Sequence, residues 1–283
     1  MTNQSNIRDG APIQPNTIEE ARSIAELLKA DPTYETPFQR RIARYIDIDD
    51  DCRRFLRKLQ SDPIVLRAGV ALFNTAHDAR DIYVVQSGWL LGYSFTPGGQ
   101  RHVYRIYQPG DLVGIEDINW NYHTSNVETA TPCAVTVFSK STLRTIFEDS
   151  PRLARTIFSM AMMDQAHLFD KLRAVGRMSA ETRMAALLLQ LYSRTALTNS
   201  LPGKDTIDLP LTQSEIGDAI GLTNVSVSRT LTSLEQQGLI RRDGKNVVLL
   251  DRERLARKCD YNDRTLRVDR DWVGAMDQQS LSA

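Results

Sequence analysis

The chain has 283 residues, 41% of them hydrophobic and 25% charged, which fits a globular protein of two modest domains or one large one and excludes a disordered or fibrous chain. Lys and Arg number 35 and Asp and Glu 35, so no overall positive charge draws the chain to nucleic acid; any such affinity must sit on a local basic surface. The longest apolar run, 185–191, is too short to span a bilayer, and the polar start lacks the apolar stretch of a signal peptide, which predicts a cytoplasmic protein with no membrane partner.

Residues 1–16 carry Asn, Gln, Gly and Pro without periodicity and read as a flexible tail. IEEARSIAELL predicts a helix within 17–29, and 37–59 is a second helical stretch leading into the first domain. Its charge-dense middle, Asp47 to Asp51 with Arg53 and Arg54, reads as a solvated face. From 63 to 139 the pattern changes to short strands: IVLRAG, VALFN, DIYVVQSG, WLLGYSF, RHVYRIY, NVETATP and AVTVFS. Pro97-Gly98-Gly99 and Pro109-Gly110-Asp111 are turns, the second followed by LVGIED. Such spacing predicts a compact antiparallel barrel or jelly roll, able to enclose a small ligand.

A long helix follows, with Pro151 in its first turn and Asp149 or Ser150 as cap. Ala154, Phe158, Ala161, Leu168, Leu172 and Val175 keep a rough heptad spacing through Gly176, and Gln165 interrupts it. Ser179 caps the next helix, ETRMAALLLQLYSRT, and 196–207 reads as a polar loop around Pro202-Gly203.

Residues 211–240 carry the strongest pattern. Thr212 and Glu215 form a capping box, Ile216, Ala219 and Ile220 make one apolar face, and Gly221 stands where the chain turns sharply. Thr223 caps a second helix with Val227, Leu231 and Leu234 as its buried stripe. Asn224, Val225, Ser228 and Arg229 fall on the other face, with Ser226 at its start. An amide, a methyl-bearing group, a hydroxyl and a guanidinium are the groups that read base edges. This is a helix-turn-helix whose second helix enters the major groove of double-stranded DNA. GLIRRDGKNVVLL then predicts a hairpin turning at Asp243-Gly244, a wing that brings Arg241, Arg242 and Lys245 near phosphates. Readers of this kind need two-fold symmetry to span two half-sites, so the heptad stripe (Phe158, Ala161, Gln165, Leu168, Leu172, Val175) is expected to pair with a second copy. Residues 251–283, with Trp272, are expected to fold back in part as a helix.

A strand-rich roll, a long helix and a winged helix-turn-helix, in this order, resemble the CRP/FNR family of bacterial transcription regulators over roughly 37–250. PGDLVGIEDI and LTQSEIGDAIGLTNVSVSRTLTSLEQQGLI carry the likeness. The resemblance implies an α+β chain divided into an N-terminal extension (1–36, flexible or partly helical), a cyclic-nucleotide-binding-like β-roll (37–148), a dimerisation helix (149–177), a winged helix-turn-helix (178–250) and a C-terminal extension (251–283). It implies a homodimer that binds a two-fold-symmetric site and activates transcription by touching RNA polymerase. Arg229 matches the family's guanine-reading arginine. Val225 stands where a glutamate accepts from cytosine, and can instead pack on a thymine methyl; Asn224 replaces an arginine. Thr212, Gln213, Ser214, Thr223 and Ser226 match phosphate-holding positions.

The sensing half departs from the family. Ile115, not glutamate, follows the pocket glycine Gly114 and precedes Glu116, and the Arg-Ser pair that holds a cyclic phosphate is His123-Thr124. Without the guanidinium the pocket loses its main charge-assisted bonds, so cyclic AMP is not expected. Cys133 resembles one ligand of the FNR iron–sulfur cluster, but only Cys52 lies upstream, and two thiolates cannot replace four. The expectation is a FixK-like regulator with no bound cofactor or metal. The alternative is an effector-dependent regulator with haem or another small ligand in the roll, His77 or His123 serving as axial ligand. Cys52, Cys133 and Cys259 are open to oxidation on sequence alone, with Cys133 read as a buried small hydrophobe. No phosphate-binding glycine loop, acid–base pair or HExxH marks an enzyme.

Overall fold

The computed structural model describes residues 17–31, 34–59, 62–198 and 205–274; the tail expected over 1–16 lies outside them. Thr17 and Glu20 exchange side-chain and backbone hydrogen bonds in a capping box that starts α1 (Ile18–Ala30). Ala21 and Ile24 are buried, and α1 packs on the strands of the roll. The stretch 37–59 is not one helix but two, α2 (Pro37–Ile42) and α3 (Asp50–Lys58). Asp49 accounts for the break: its carboxylate accepts from the Cys52 N–H at 2.7 Å and caps α3 instead of continuing a helix.

The strands are β1 (Ile64–Leu66), β2 (Ala71–Phe73), β3 (Asp81–Ser87), β4 (Leu90–Phe95), β5 (Arg101–Tyr107), β6 (Leu112–Val113), β7 (Asn126–Thr129) and β8 (Cys133–Ser139). They form two antiparallel four-stranded sheets, ordered β1-β8-β3-β6 and β2-β7-β4-β5. Phe73, Val85, Leu90, Tyr107, Val127 and Cys133 fill the space between them, so the expected roll is present. A helix that the sequence pattern did not announce, α4 (Lys140–Asp149), follows β8, with the Ser139 hydroxyl accepting from the Thr142 N–H.

The long helix is α5 (Pro151–Arg177). Pro151 opens it as expected, while Ser150 holds the cap position without a side-chain bond. Leu153, Ile157 and Met160 are buried against the roll and the N-terminal helices. The expected seam lies on another side. Phe158, Leu168 and Leu172 are 47%, 52% and 70% exposed; Met162, Phe169 and Gln165 are exposed beside them, and Ala161 and Val175 are half-buried.

Met178 and Ser179 separate α5 from α6 (Ala180–Thr198), and the Ser179 hydroxyl accepts from the Thr182 N–H as a cap. The polar-loop reading of 196–207 fails at both ends. Helix α6 runs to Thr198, and β9 (Thr206–Asp208) joins a sheet with Ile207 fully buried. Three residues are too few to show strand periodicity. Pro202-Gly203 lies outside the described residues. Then come α7 (Gln213–Ile220), α8 (Asn224–Gln236), β10 (Ile240–Asp243) and β11 (Asn246–Leu249), the sheet order being β10-β11-β9. The C-terminal stretch folds back as expected, through α9 (Arg252–Cys259) and the short α10 (Arg270–Val273). The head's core is continuous with one face of the roll: Trp89, Leu91, Val103 and Ile106 join Ile216, Val227 and Leu234 in a single apolar cluster.

Candidate nucleic-acid interface

Two glycines let α7 and α8 meet closely. Gly221 adopts φ +69°, and a Cβ on Gly217 would stand 2.4 Å from the Leu222 carbonyl oxygen. The predicted caps form: Thr212 and Glu215 bond reciprocally, and the Thr223 hydroxyl accepts from the Ser226 N–H at 3.2 Å. Val227, Leu231 and Leu234 bury one face of α8. The opposite face presents Asn224, Val225 and Arg229 exposed and Ser228 half-buried within its first two turns. Val225 is 60% exposed, an apolar group left in water. Among the described residues nothing forms an ion pair or hydrogen bond with the Arg229 guanidinium.

Thr212, Gln213 and Ser214 are exposed at the start of α7, and Thr223 and half-buried Ser226 at the start of α8. The hydroxyls of Thr212, Thr223 and Ser226 already serve the caps, so the backbone N–H groups of these helix ends are the better donors to a phosphate. On the wing the register pairs Asp243 with Asn246, so the turn residues are Gly244-Lys245, one position later than expected. Arg241 and Lys245 are exposed. Arg242 differs from the sequence expectation. Its Nε donates to Glu235 at 2.8 Å, its Nη2 also binds that carboxylate, and its backbone N–H bonds Glu235 at 2.8 Å. The side-chain and backbone bonds from Arg242 hold the Glu235 carboxyl below its ordinary range. Arg242 therefore braces the wing on α8, with its charge neutralised.

In the roll, Gly114 turns the chain at φ +87° and Ile115 packs against the N-terminal cluster. Glu116 accepts from the Tyr107 hydroxyl. His123 is buried, stacks on Phe73 at 3.5 Å and donates from Nδ1 to Asp117 at 2.8 Å. Thr124 donates to the same carboxylate from its hydroxyl at 2.6 Å and its backbone at 3.1 Å. The two residues at the cyclic-phosphate positions thus spend their donors on a buried carboxylate, which would repel a phosphate. These residues do not fit a cyclic nucleotide. A cavity of about 1140 Å³ lies beside them, walled by Ile115, Glu116, Thr124, Gln165 and Leu168; Gly114 and His123 are not on its wall. His77 is exposed, near Asn74. Burial pushes the Cys133 thiol up to about 12 and those of Cys52 and Cys259 to about 11, so none is poised as a thiolate.

Sequence reasoning missed Asp117 and a buried ionic hub. Asp111, after β5, pairs with Arg41 of α2 and Arg194 of α6; Asp164 of α5 pairs with Arg105 of β5 at 2.6 Å and lies 3.6 Å from Arg41. Burial would raise the Asp164 carboxyl, but Arg105 and Arg41 outweigh it and hold it at about 2. His167, one turn on, is pushed down to about 4 by burial. A charge set in an apolar stretch, as Arg194 is after ALLLQLYS, was the available signal.

A family model of Crp-like helix-turn-helix domains matches residues 182–258, and one of cyclic nucleotide-binding domains matches 63–150. The nitrogen fixation regulation protein FixK of Bradyrhizobium diazoefficiens is 30% identical over 189 residues, 66% of this chain and 78% of that protein. The chain belongs to the CRP/FNR family. This regulator is also 25% identical to the fumarate and nitrate reduction regulatory protein of Escherichia coli over 191 residues, 68% of this chain and 76% of that one. The structure of FixK2 from Bradyrhizobium japonicum matches it with TM-score 0.63 and 27% identity, covering 70% of this chain and 97% of that one. The regulator is a DNA-binding protein of transcription and not an enzyme. Among the described residues no helix is long and apolar enough to cross a membrane.

Proposed function

We propose that the regulator is a cytoplasmic homodimer joined along α5, that it reads a two-fold-symmetric DNA site with one α8 in each half-site, and that it activates transcription through contact with RNA polymerase. The observation that carries the dimer is the exposed apolar side of α5, where Phe158, Met162, Leu168, Phe169 and Leu172 stay exposed among the described residues. Arg229 forks onto the O6 and N7 of a guanine, Val225 packs on a thymine methyl, and Ser228 and Asn224 read neighbouring base edges. Gln213, Ser214, Arg241, Lys245 and the capped helix ends bearing Thr212, Thr223 and Ser226 set register on the phosphates. A relative from Stutzerimonas stutzeri, the transcriptional activator protein FnrA, is 26% identical over 189 residues and favours activation.

The same reading holds that no cofactor is required: neither cyclic AMP, nor an iron–sulfur cluster, nor haem. Its support is the Asp117 carboxylate that occupies the donors of His123 and Thr124, and the buried state of all three cysteines. The cavity beside α5 favours a second reading, an effector-dependent regulator with a small ligand in the roll. That wall includes Gln165 and Leu168, which a second copy's α5 covers in the dimer. Selection of bound sequences from a random DNA pool with untreated protein, alongside its visible absorption spectrum, separates the two. A symmetric site keeping one guanine per half-site, from colourless protein, is expected; selection that succeeds only with an added effector, or a chromophore, overturns the cofactor-free reading.

A further inference from the structure

Met178 and Ser179 are the two residues between α5 and α6 that lie outside a helix, so they are where the head, taken as α6 to β11, would pivot on the seam. Beside the apolar cluster that the head shares with the roll, three sets of polar and C-terminal contacts cross that pivot. The hub ties α6 to the roll: Arg194 binds Asp111 and donates to the Ile106 carbonyl at 2.9 Å, and Gln108 donates to Thr195 at 2.9 Å. Arg101 of β5 bonds Asp218 of α7 at 2.8 Å and Glu128 at 2.6 Å. The third set is the chain beyond the wing. Leu255 and Cys259 of α9 are buried in the head's core, and Tyr261 donates to Ser193 of α6 at 3.1 Å.

From there the chain runs back along α5 as a strap. Asp260 pairs with Arg173 at 2.9 Å, Arg264 with Asp170 at 2.9 Å, and the Trp272 Nε1–H donates to Ser159 at 3.1 Å. Residues 173 to 159 span about 21 Å of helix at 1.5 Å per residue. The strap ends with Val273 fully buried in the cluster that holds Leu153 and Ile157. Its ion pairs are solvated and individually weak, so the buried end is its anchor.

We propose that this strap, with the hub and the Arg101–Asp218 contact, locks the reading head at one angle to α5 and so confines the regulator to one spacing between half-sites. The proposal rests on the dimer along α5. Two heads fixed to one seam stand a fixed distance apart. With 10–10.5 base pairs to a turn of about 34 Å, one inserted base pair shifts a half-site by about 3.4 Å and turns it by about 35°. A head hinged at Met178–Ser179 follows that shift; a locked head must first shed the strap and pull Asp218 off Arg101. Spacing selectivity is thereby separated from base selectivity, which belongs to α8.

The test is a set of DNA duplexes carrying the selected half-sites at the preferred spacing and at one base pair more or less. The wild-type dimer should prefer its own spacing by tenfold or more. In Arg101→Ala/Trp272→Ala/Val273→Ala that ratio should fall to threefold or less, with the guanine preference inside each half-site unchanged. Arg264→Glu, which places like charges at Asp170, should lower the ratio in the same direction, and adding Asp170→Arg should restore it. An unchanged ratio in the folded, dimeric triple variant, or a wild-type dimer indifferent to spacing, overturns the proposal. Sedimentation of the same samples tells that failure from the other: a wild-type monomer removes the dimer reading itself.

Discussion

The reading head and the roll pocket hold similar polar groups in opposite states. On α8, Asn224 and Arg229 stand in water, and Val225 is an apolar group left largely exposed. In the roll, His123 and Thr124 are turned onto Asp117, and Glu116 is taken by Tyr107. Wet groups exchange water for a partner at small net cost, whereas groups already paired within the chain must break their own bonds before they bind anything. The head is prepared for a ligand from outside the chain; the pocket has answered its donors from within.

That contrast breaks most visibly at Asp117. Asp117→Ala strands the His123 Nδ1–H in a buried site and takes the acceptor from Thr124, and should destabilise the fold by about 3–5 kcal/mol in urea unfolding. A loss under 1 kcal/mol would mean that the pocket is not self-satisfied. Next in size is acid sensitivity beside the hub. His167 binds its proton less readily in the folded protein, with its value lowered to about 4 by burial. Its contribution to stability is full above the ordinary histidine value of about 6.5 and is lost as pH falls towards 4, about 3 kcal/mol in all. The carboxyl of Asp164, held at about 2, adds a further loss at still lower pH. Thermal midpoints measured between pH 7 and pH 4.5 should fall less in His167→Gln than in the wild type.

On the head, Arg229→Ala should weaken specific binding by about 1–3 kcal/mol and relax one guanine per half-site, which a repeated selection would show. Retained guanine preference would remove Arg229 from the base-reading face. The smallest effect expected lies on the wing. Arg241→Ala should lower the salt slope of binding by about one. Arg242→Ala should leave that slope unchanged, because Glu235 already neutralises its charge; a drop as large as that of Arg241→Ala would show that the brace opens on DNA.

The same division governs what the sequence discloses. The head is legible because its signals are local: the Thr212 and Thr223 caps, Gly221 at the turn and the Val227–Leu231–Leu234 stripe all lie within one short segment. Strand positions in the roll are legible from turns and alternation. The β9 strand is not, being three residues long, and the break between α2 and α3 depends on whether Asp49 solvates or caps. The hub was hidden because its members come from distant segments, 70 residues apart for Arg41 and Asp111, whereas the Asp117 site is local but follows neither a helical nor a strand period. Even Arg242, assigned by its place on the wing, depends on where Glu235 ends up in three dimensions.

The central claim is that the head reads DNA with no cyclic nucleotide in the roll. Its most direct test is titration of the selected site at one fixed salt concentration, with the untreated protein alone and with saturating cyclic AMP. Superimposable curves at both conditions are predicted. Binding that tightens tenfold or more with the nucleotide would contradict the account, because Asp117 would then have to give up His123 and Thr124 to a phosphate.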